Sequence, residues 1–393
     1  MKKHFSFLLI LLSLTGFSQN LEFLVLDEIT KLPIENVSLF YSKLNEGTFT
    51  NTEGKAVLKE NKAALLISNP GYQDIILNPD QLKKSNTVFM NPQAVELDEV
   101  IVNSFDLKKA LQYVSDNYNK LYVSTAFEKE CNFKETLSVE NKLKRLILTK
   151  VNWWGKSYEL KKNYDELKLR LGAVEYSKNR ALDILVDSPE ENLPSGTGFI
   201  ETKSLISVLY LNVFIKNFLI SLNQFNSNVE KSAENEIIVS FETEWVKNKD
   251  VESRSVGKIV FDKQSKAIVE FVNEIEFKNR IVKKTTSITK KEFSYETLKN
   301  STKHDFYKNN DNLWSLKSFF VTADLYIDYD KKRYFTSFEN SIYVLKESPV
   351  KKVNNDGLIN LEKPIYQSLP SNTITSNNSI LLTEKEKEFI DKN

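Results

Sequence analysis

The chain has 393 residues, with 54 basic and 53 acidic side chains, a formal net charge of +1, two histidines and one cysteine. So even a balance gives no global field for nucleic acid or anionic lipid. His4 lies in the extreme amino-terminal segment, so His304 and Cys131 are the only other His or Cys side chains; they cannot supply the three or four ligands of a zinc centre, and a lone cysteine cannot close an intramolecular disulfide.

Residues 1–18 read as an export signal. Met1-Lys-Lys-His4 is a short basic region, and an apolar run of about ten residues follows, too short to span a bilayer. Gly16 and Ser18 are the small residues expected before a cleavage site, which is placed ahead of Gln19. Loss of Lys2 and Lys3 leaves 52 basic against 53 acidic side chains, so the formal balance becomes −1. No cysteine stands at the mature start to carry a lipid. The expected location is the periplasm or the outer membrane, and about 375 residues can bury a sizeable core without disulfides.

Residues 21–90 read as about seven short strands separated by Pro, Asn and Gly turns. Pro33 suits a position between strands, because it fixes φ and donates no hydrogen bond. Asn51 to Gly54 reads as a hairpin turn with positive φ at Gly54. Short strands at this spacing predict a β-sandwich of antiparallel sheets over residues 19–92.

The Pro33-Ile-Glu-Asn-Val37 step, the Thr50-Asn-Thr-Glu-Gly54 turn and the Ile67-Ser-Asn-Pro-Gly-Tyr72 strand exit resemble the carboxypeptidase regulatory-like domain, a transthyretin-like sandwich. The following Val95-Glu-Leu-Asp-Glu-Val-Ile-Val102 looks like the exit peptide found after such domains in Gram-negative envelope proteins. The resemblance implies an accessory module that carries no peptidase residues of its own.

Residues 93–122 are expected to form a linker and one amphipathic helix. Leu107, Ala110, Leu111, Val114, Tyr118 and Leu121 recur at helical spacing, with Ser104 as the cap. Residues 123–348 are expected to form the second domain. Phe133, Glu135, Leu137 and Val139 lie on one strand, paired through an Asn141 turn with residues 143–153. Residues 161–171 fit helix or strand equally, and residues 186–198 read as a loop rich in Pro, Gly and acids.

Residues 204–222 are the most apolar segment after the signal. Asn212, Lys216 and Asn217 interrupt it, which favours a buried helix over a membrane span. From Glu236 to Lys346 the chain is nearly all strand. In a long strand over residues 267–289, Val269, Phe271, Ile275, Phe277 and Ile281 are expected on the dry face. Glu270, Glu274, Glu276 and Lys278 are expected on the wet one. Val321, Ala323, Leu325, Ile327 and Tyr329 repeat the pattern. One strongly bent antiparallel sheet follows, its concave side filled by the 204–222 helix. The arrangement looks like the half-barrel of periplasmic lipoprotein carriers, a likeness of fold alone. Residues 349–393 are expected to be a loosely attached tail ending in a short helix opened by a Thr383-Glu-Lys-Glu386 capping box.

No catalytic constellation emerges. His304 lies beside Asp305 in a polar stretch and reads as a surface histidine, since no Gly-x-Ser-x-Gly elbow exposes a serine. Cys131 reads as a half-buried small residue. Asp324, Asp328 and Asp330 share a strand face and read as a solvated strand end rather than a calcium site, because no glycine-containing calcium loop surrounds them. Arg280, Lys283, Lys284, Lys290 and Lys291 read as a solvated basic face, with acidic lipid or polysaccharide as the other option. Trp153, Trp154, Trp245 and Trp314 read as packing residues rather than sugar platforms.

The expectation is therefore a mainly β, exported envelope protein without catalysis or cofactor. Its role would be binding or scaffolding, with a lipid, peptide or protein partner and no nucleic acid. A cavity lined by Phe214, Phe218 and the dry strand faces is the lipid-binding version. The alternative is a hydrolase of envelope polymers, which needs two carboxylates about 5 to 10 Å apart across a cleft.

Overall fold

The computed structural model describes residues 20–41, 43–44, 46–69, 72–92, 105–161, 167–179, 205–206, 208–221, 224–232, 235–285, 292–329, 331–363, 365–369, 373–374 and 382–391. The export signal, Ser104, the 186–198 loop, Lys290, Lys291, Asp330 and the Lys284 side chain lie outside the described residues. The chain divides into two compact units, Met1–Pro92 and Gln93–Asn393.

The first unit has the seven expected strands: β1 (Asn20–Asp27), β2 (Ser38–Tyr41), β3 (Glu46–Phe49), β4 (Lys55–Lys59), β5 (Leu65–Ser68), β6 (Ile75–Leu77) and β7 (Ser85–Met90). They form two sheets, β4-β1-β7 and β3-β2-β5-β6. Leu21, Phe23, Val25 and Met90 from one sheet meet Leu39, Tyr41, Leu65 and Ile67 from the other in a closed apolar core.

Two expectations are corrected here. The sheets are not wholly antiparallel, because β1 and β7 run parallel from Glu22↔Ser85 to Asp27↔Met90. A parallel neighbour needs a long return path, and residues 28–84 supply it by building the second sheet on the way. The Asn51–Gly54 turn forms, with Asn51 Oδ1 accepting from the Glu53 and Lys55 backbone N–H groups and Gly54 at φ +70°. It closes no hairpin, however: β3 pairs with β2 and β4 with β1, so the turn carries the chain from one sheet to the other.

The second unit opens with two helices, α1 (Leu107–Asp116) and α2 (Tyr118–Leu121). The expected single helix breaks at Asn117, and the cap is Asp106, whose side chain accepts from the Lys109 N–H at 3.0 Å. Leu107, Leu111, Val114, Tyr118 and Leu121 are buried in the core of this unit. The helix is thus part of the second domain rather than of a linker.

The strands that follow are β8 (Phe127–Val139), β9 (Lys142–Gly155), β10 (Leu167–Asn179), β11 (Phe225–Ser232), β12 (Glu236–Thr243), β13 (Val246–Asn248), β14 (Val251–Asp262), β15 (Ile268–Lys278), β16 (Ile281–Thr285), β17 (Glu292–Lys308), β18 (Trp314–Tyr329), β19 (Lys332–Pro349) and β20 (Thr373–Ile374). Two more helices, α3 (Leu211–Ser221) and α4 (Glu384–Asp391), complete the unit.

The ladder runs β20-β10-β9-β8-β19-β18-β17-β15-β14-β12-β11, antiparallel throughout. No described pairing joins β11 back to β10 or β20, so the sheet stays open. Glu140 and Asn141 both take positive φ, the two-residue turn expected between β8 and β9. The strand expected over 267–289 divides at Asn279 (φ +60°) into β15 and β16, which both pair with β17.

Bulges at Val260/Phe261, Asp305/Phe306 and Val344/Lys346 bend the sheet. The first also resets the alternation, so Ile268 and Phe271 both enter the core, while Val269, Ile275 and Phe277 are only half-buried. Tyr122 repairs the interrupted ladder there: its hydroxyl donates to the Ile268 carbonyl at 2.8 Å and accepts from the Ile268 N–H at 3.0 Å.

The described residues of the 204–222 segment pack into the concave side as expected, but not as one helix. A short turn ending at Leu209 precedes α3, and Leu205, Ile206, Leu209, Leu211, Ile215 and Phe218 are all buried. The tail is docked rather than loose. Trp154 Nε1 donates to the Val350 carbonyl at 2.7 Å, Ile359 N–H donates to the Leu169 carbonyl at 2.8 Å, and β20 pairs with β10. The capping box forms, with Thr383 N–H donating to Glu386 at 2.8 Å and Glu386 N–H donating back to Thr383 Oγ1 at 3.3 Å. Phe389 of α4 covers an apolar strip of Leu146, Leu148 and Tyr176 on the convex side.

Candidate functional site

The concave side of the sheet is where a binding chamber was expected, and its polar residues report on what it can do. Asn212, which interrupts the apolar segment, exchanges two 3.1 Å hydrogen bonds with the Leu160 backbone. The break before α3 leaves helical carbonyls without their own partners. Tyr158 donates its hydroxyl to the Leu209 carbonyl at 2.6 Å, and His304 Nε2 lies 2.8 Å from the Val208 carbonyl. A carbonyl only accepts, so Nε2 carries the hydrogen and the ring is the neutral Nε2–H tautomer.

His304 is therefore not on the surface, as its polar neighbours suggested; it is fully buried. Alternation along β17 turns Lys303 and Asp305 to the convex side and His304 to the concave one, into a box of Phe214, Phe271, Phe306 and Phe319. Burial holds its pKa down to about 4, against which the Val208 hydrogen bond works. Nδ1 has no partner among the described residues.

The expected cavity-lining residues are packing residues. Phe218 stacks on Phe225 at 4.1 Å and meets Phe241 edge-on at 4.6 Å; Phe214 lies against Phe271 at 5.6 Å. Nearby, Tyr118, Tyr122, Tyr158, Tyr210, Trp153 and Phe127 interlock in stacked and edge-on pairs. A void of about 10 Å³, room for one water-sized sphere, lies among Cys131, Trp153, Leu169, Leu209, Ile342 and Ile365. A lipid chain does not fit there. Cys131 is fully rather than half-buried, and burial pushes its thiol up to about 12.

Two ion pairs lie where the dry stripe of β8 should be apolar. Lys129 binds both Glu347 and Ser315, and Tyr307 donates to Glu347 at 3.4 Å. Burial raises the Glu347 pKa, and the Lys129 charge and hydrogen bonds outweigh it, so the carboxyl stays below its ordinary value. Arg145 donates to Glu135 at 2.7 Å, and burial raises the Glu135 pKa despite Arg145. Both pairs were missed, although the signal was present: Lys129 and Glu135 share the parity of Phe127, Cys131, Phe133 and Leu137.

A third network lies on the convex side. Glu270, expected in water, is buried between Lys258 at 2.6 Å and Lys303 at 3.4 Å, and Lys303 also meets Asp305 at 3.3 Å. Burial disfavours the Lys303 charge, but Asp305 and Glu270 leave its pKa raised. Lys299–Glu274 (2.6 Å) and Arg254–Glu242 (2.7 Å) extend the same cross-strand pattern. Glu135, Glu270, Asp305 and Glu347 each already hold a cation.

The remaining candidates fall as follows. Asp328 lies 3.7 Å from Arg333, while Asp324 has its pKa raised by burial, partly offset by Lys299. Among the described residues no group of three His, Cys, Asp or Glu side chains could hold a metal. Arg280 rests on the Phe277 ring at 4.2 Å, and Lys283 is exposed. Trp153 is core; Trp154 and Trp314 pack with their Nε1 groups bonded to Val350 and Ser265; Trp245 stacks under Lys278 at 3.7 Å.

No family model matches the chain, and no curated protein matches it. It is similar to a solved structure from Bacteroides fragilis, a protein of unknown function described as a candidate membrane-associated protein. The two are 11% identical over 84% of this chain and 98% of that one, with a TM-score of 0.14, too low to bear on fold or function. Among the described residues no helix is long and apolar enough to cross a membrane.

Proposed function

We propose that the chain is an exported, non-catalytic protein of the cell envelope, in the periplasm or at the outer membrane, that acts by binding or scaffolding through its outer surfaces. The observation that carries this proposal is the filled concave side of the large sheet. There α3, the aromatic cluster and His304 occupy the volume a ligand would need, and the buried charges are committed to one another. The lipid-cavity version is dropped for the same reason. A hydrolase would need an ionised acid and a protonated one facing open space, whereas Glu135, Glu270 and Glu347 face cations.

The export half rests on the sequence of residues 1–18, and the accessory-module half on the resemblance of the first domain to carboxypeptidase regulatory-like modules. The test is fractionation of a Gram-negative host expressing the full chain with a carboxy-terminal tag. Recovery with the envelope fraction and a mature amino terminus at Gln19 is the expected result. Cytosolic protein retaining Met1 would overturn it.

A further inference from the structure

Three of the five large apolar side chains exposed in the described part of the first unit, Leu44 and Ile76 being the other two, lie at one place. The turn between β1 and β2 presents Ile29 at 76% and Leu32 at 64% exposure, and Phe89 at the end of β7 is 41% exposed. Phe89 lies opposite Leu26 in the β1–β7 register, and Glu28 N–H donates to the Met90 carbonyl at 2.9 Å, so these side chains belong to one tip. Lys31 bridges them, its ammonium 4.5 Å from the Phe89 ring.

The tip is pre-organised rather than slack. Asp27 Oδ1 accepts from the Ile29 N–H at 2.8 Å and the Thr30 N–H at 2.6 Å, and Tyr72 donates to Oδ2 at 2.8 Å. Asp27 N–H reaches the Leu32 carbonyl at 2.9 Å, and Lys31 takes φ +58° to close the turn. The Thr30 backbone hydrogen bond, the largest contribution, holds the Asp27 carboxyl below its ordinary value, so the cap stays ionised. A chain free to collapse would fold Ile29 and Leu32 onto the sheet; this one fixes them in water.

We infer that this tip is a membrane-surface anchor: Ile29, Leu32 and Phe89 insert at the headgroup–acyl boundary of a zwitterionic bilayer. Convexity supports this, since a protruding aliphatic turn seats in a deformable phase and not on a flat protein face. Charge supports it too. Glu28 and Lys31 neutralise each other at 3.1 Å, and so do Glu53 and Lys55 at 3.0 Å on the turn that packs on Pro33. With Asp27 ionised and the two pairs cancelled, the tip has no surplus of cations to require an anionic partner, and Lys31 supplies a flexible ammonium that can rise to the phosphates.

The inference rests on the envelope reading only for the supply of an accessible bilayer. Its test is flotation of the full mature chain with phosphatidylcholine vesicles at low and high salt. Co-flotation that salt leaves unchanged, and that falls about tenfold or more in I29S/L32S, is expected; circular dichroism melting checks that the variant keeps the parent fold. Three results would overturn it: no flotation of the parent chain, as a protein-docking tip would give; equal flotation of the variant; or flotation only with anionic vesicles and only at low salt. None of these bears on processing at Gln19, so the two readings fail separately.

Discussion

His304 gives the sharpest quantitative consequence of the filled core. In the native state its pKa falls from the ordinary 6.5 to about 4 because a charged imidazolium would be buried among four phenyl rings. The unfolded chain takes up a proton as pH falls through 6.5, and the native state does not until about 4. Stability from this residue is therefore complete at neutral pH, declines below 6.5 and levels off below 4. The linkage amounts to about 2 kcal/mol by pH 5, approaching about 3 kcal/mol near pH 4. The perturbation is H304Q, which can keep a donor for the Val208 carbonyl but cannot titrate. Urea unfolding followed by tryptophan fluorescence at pH 7.5 and pH 5 gives the two slopes. The parent chain should lose about 2 kcal/mol more than H304Q across that interval. Equal losses would refute the reasoning, because they would mean that the ring meets water or a carboxylate in the native state.

Three further outcomes follow from the same packing. K129M leaves Glu347 buried without its cation and should cost about 3–5 kcal/mol in urea unfolding, most of it recovered in K129M/E347L. In G257A the new Cβ would meet the Val272 carbonyl oxygen at 2.1 Å and Phe241 Cζ at 2.4 Å; backbone cannot yield there, so thermal melts should show a loss at the upper end of about 1–3 kcal/mol. Cys131, buried and with its thiol pushed up to about 12, should resist an aromatic disulfide reagent at pH 8 in the native chain and react fully in guanidinium.

The long strands after Glu236 were legible because each buries one face, and that alone writes period-two alternation into the sequence. The capping box and the Glu140–Asn141 turn were legible because each is a local hydrogen-bonding device. What escaped depends on residues distant in the chain. The β1–β7 parallel pairing joins strands more than fifty residues apart by register. Glu270 points away from Phe271 as alternation predicts, but Lys258 and Lys303 from the strands on either side close over it and bury it. His304 looked like surface because Lys303 and Asp305 flank it, although alternation sends those neighbours to the opposite side. The tail looked loose because Val353, Ile359 and Ile365 follow no period; they are buried singly. Lys129 and Glu135 were readable as dry-face charges, and only their partners on β19 and β9 were hidden.

The claim on which the functional proposal depends is that the large sheet encloses its own side chains and no ligand. Native mass spectrometry of the full mature chain, released gently from the envelope fraction, tests it most directly. The mass of the bare polypeptide is expected. A stoichiometric adduct of lipid mass that survives dilution, is lost on unfolding and persists in I29S/L32S would contradict it, because the packing among the described residues leaves such a molecule no chamber.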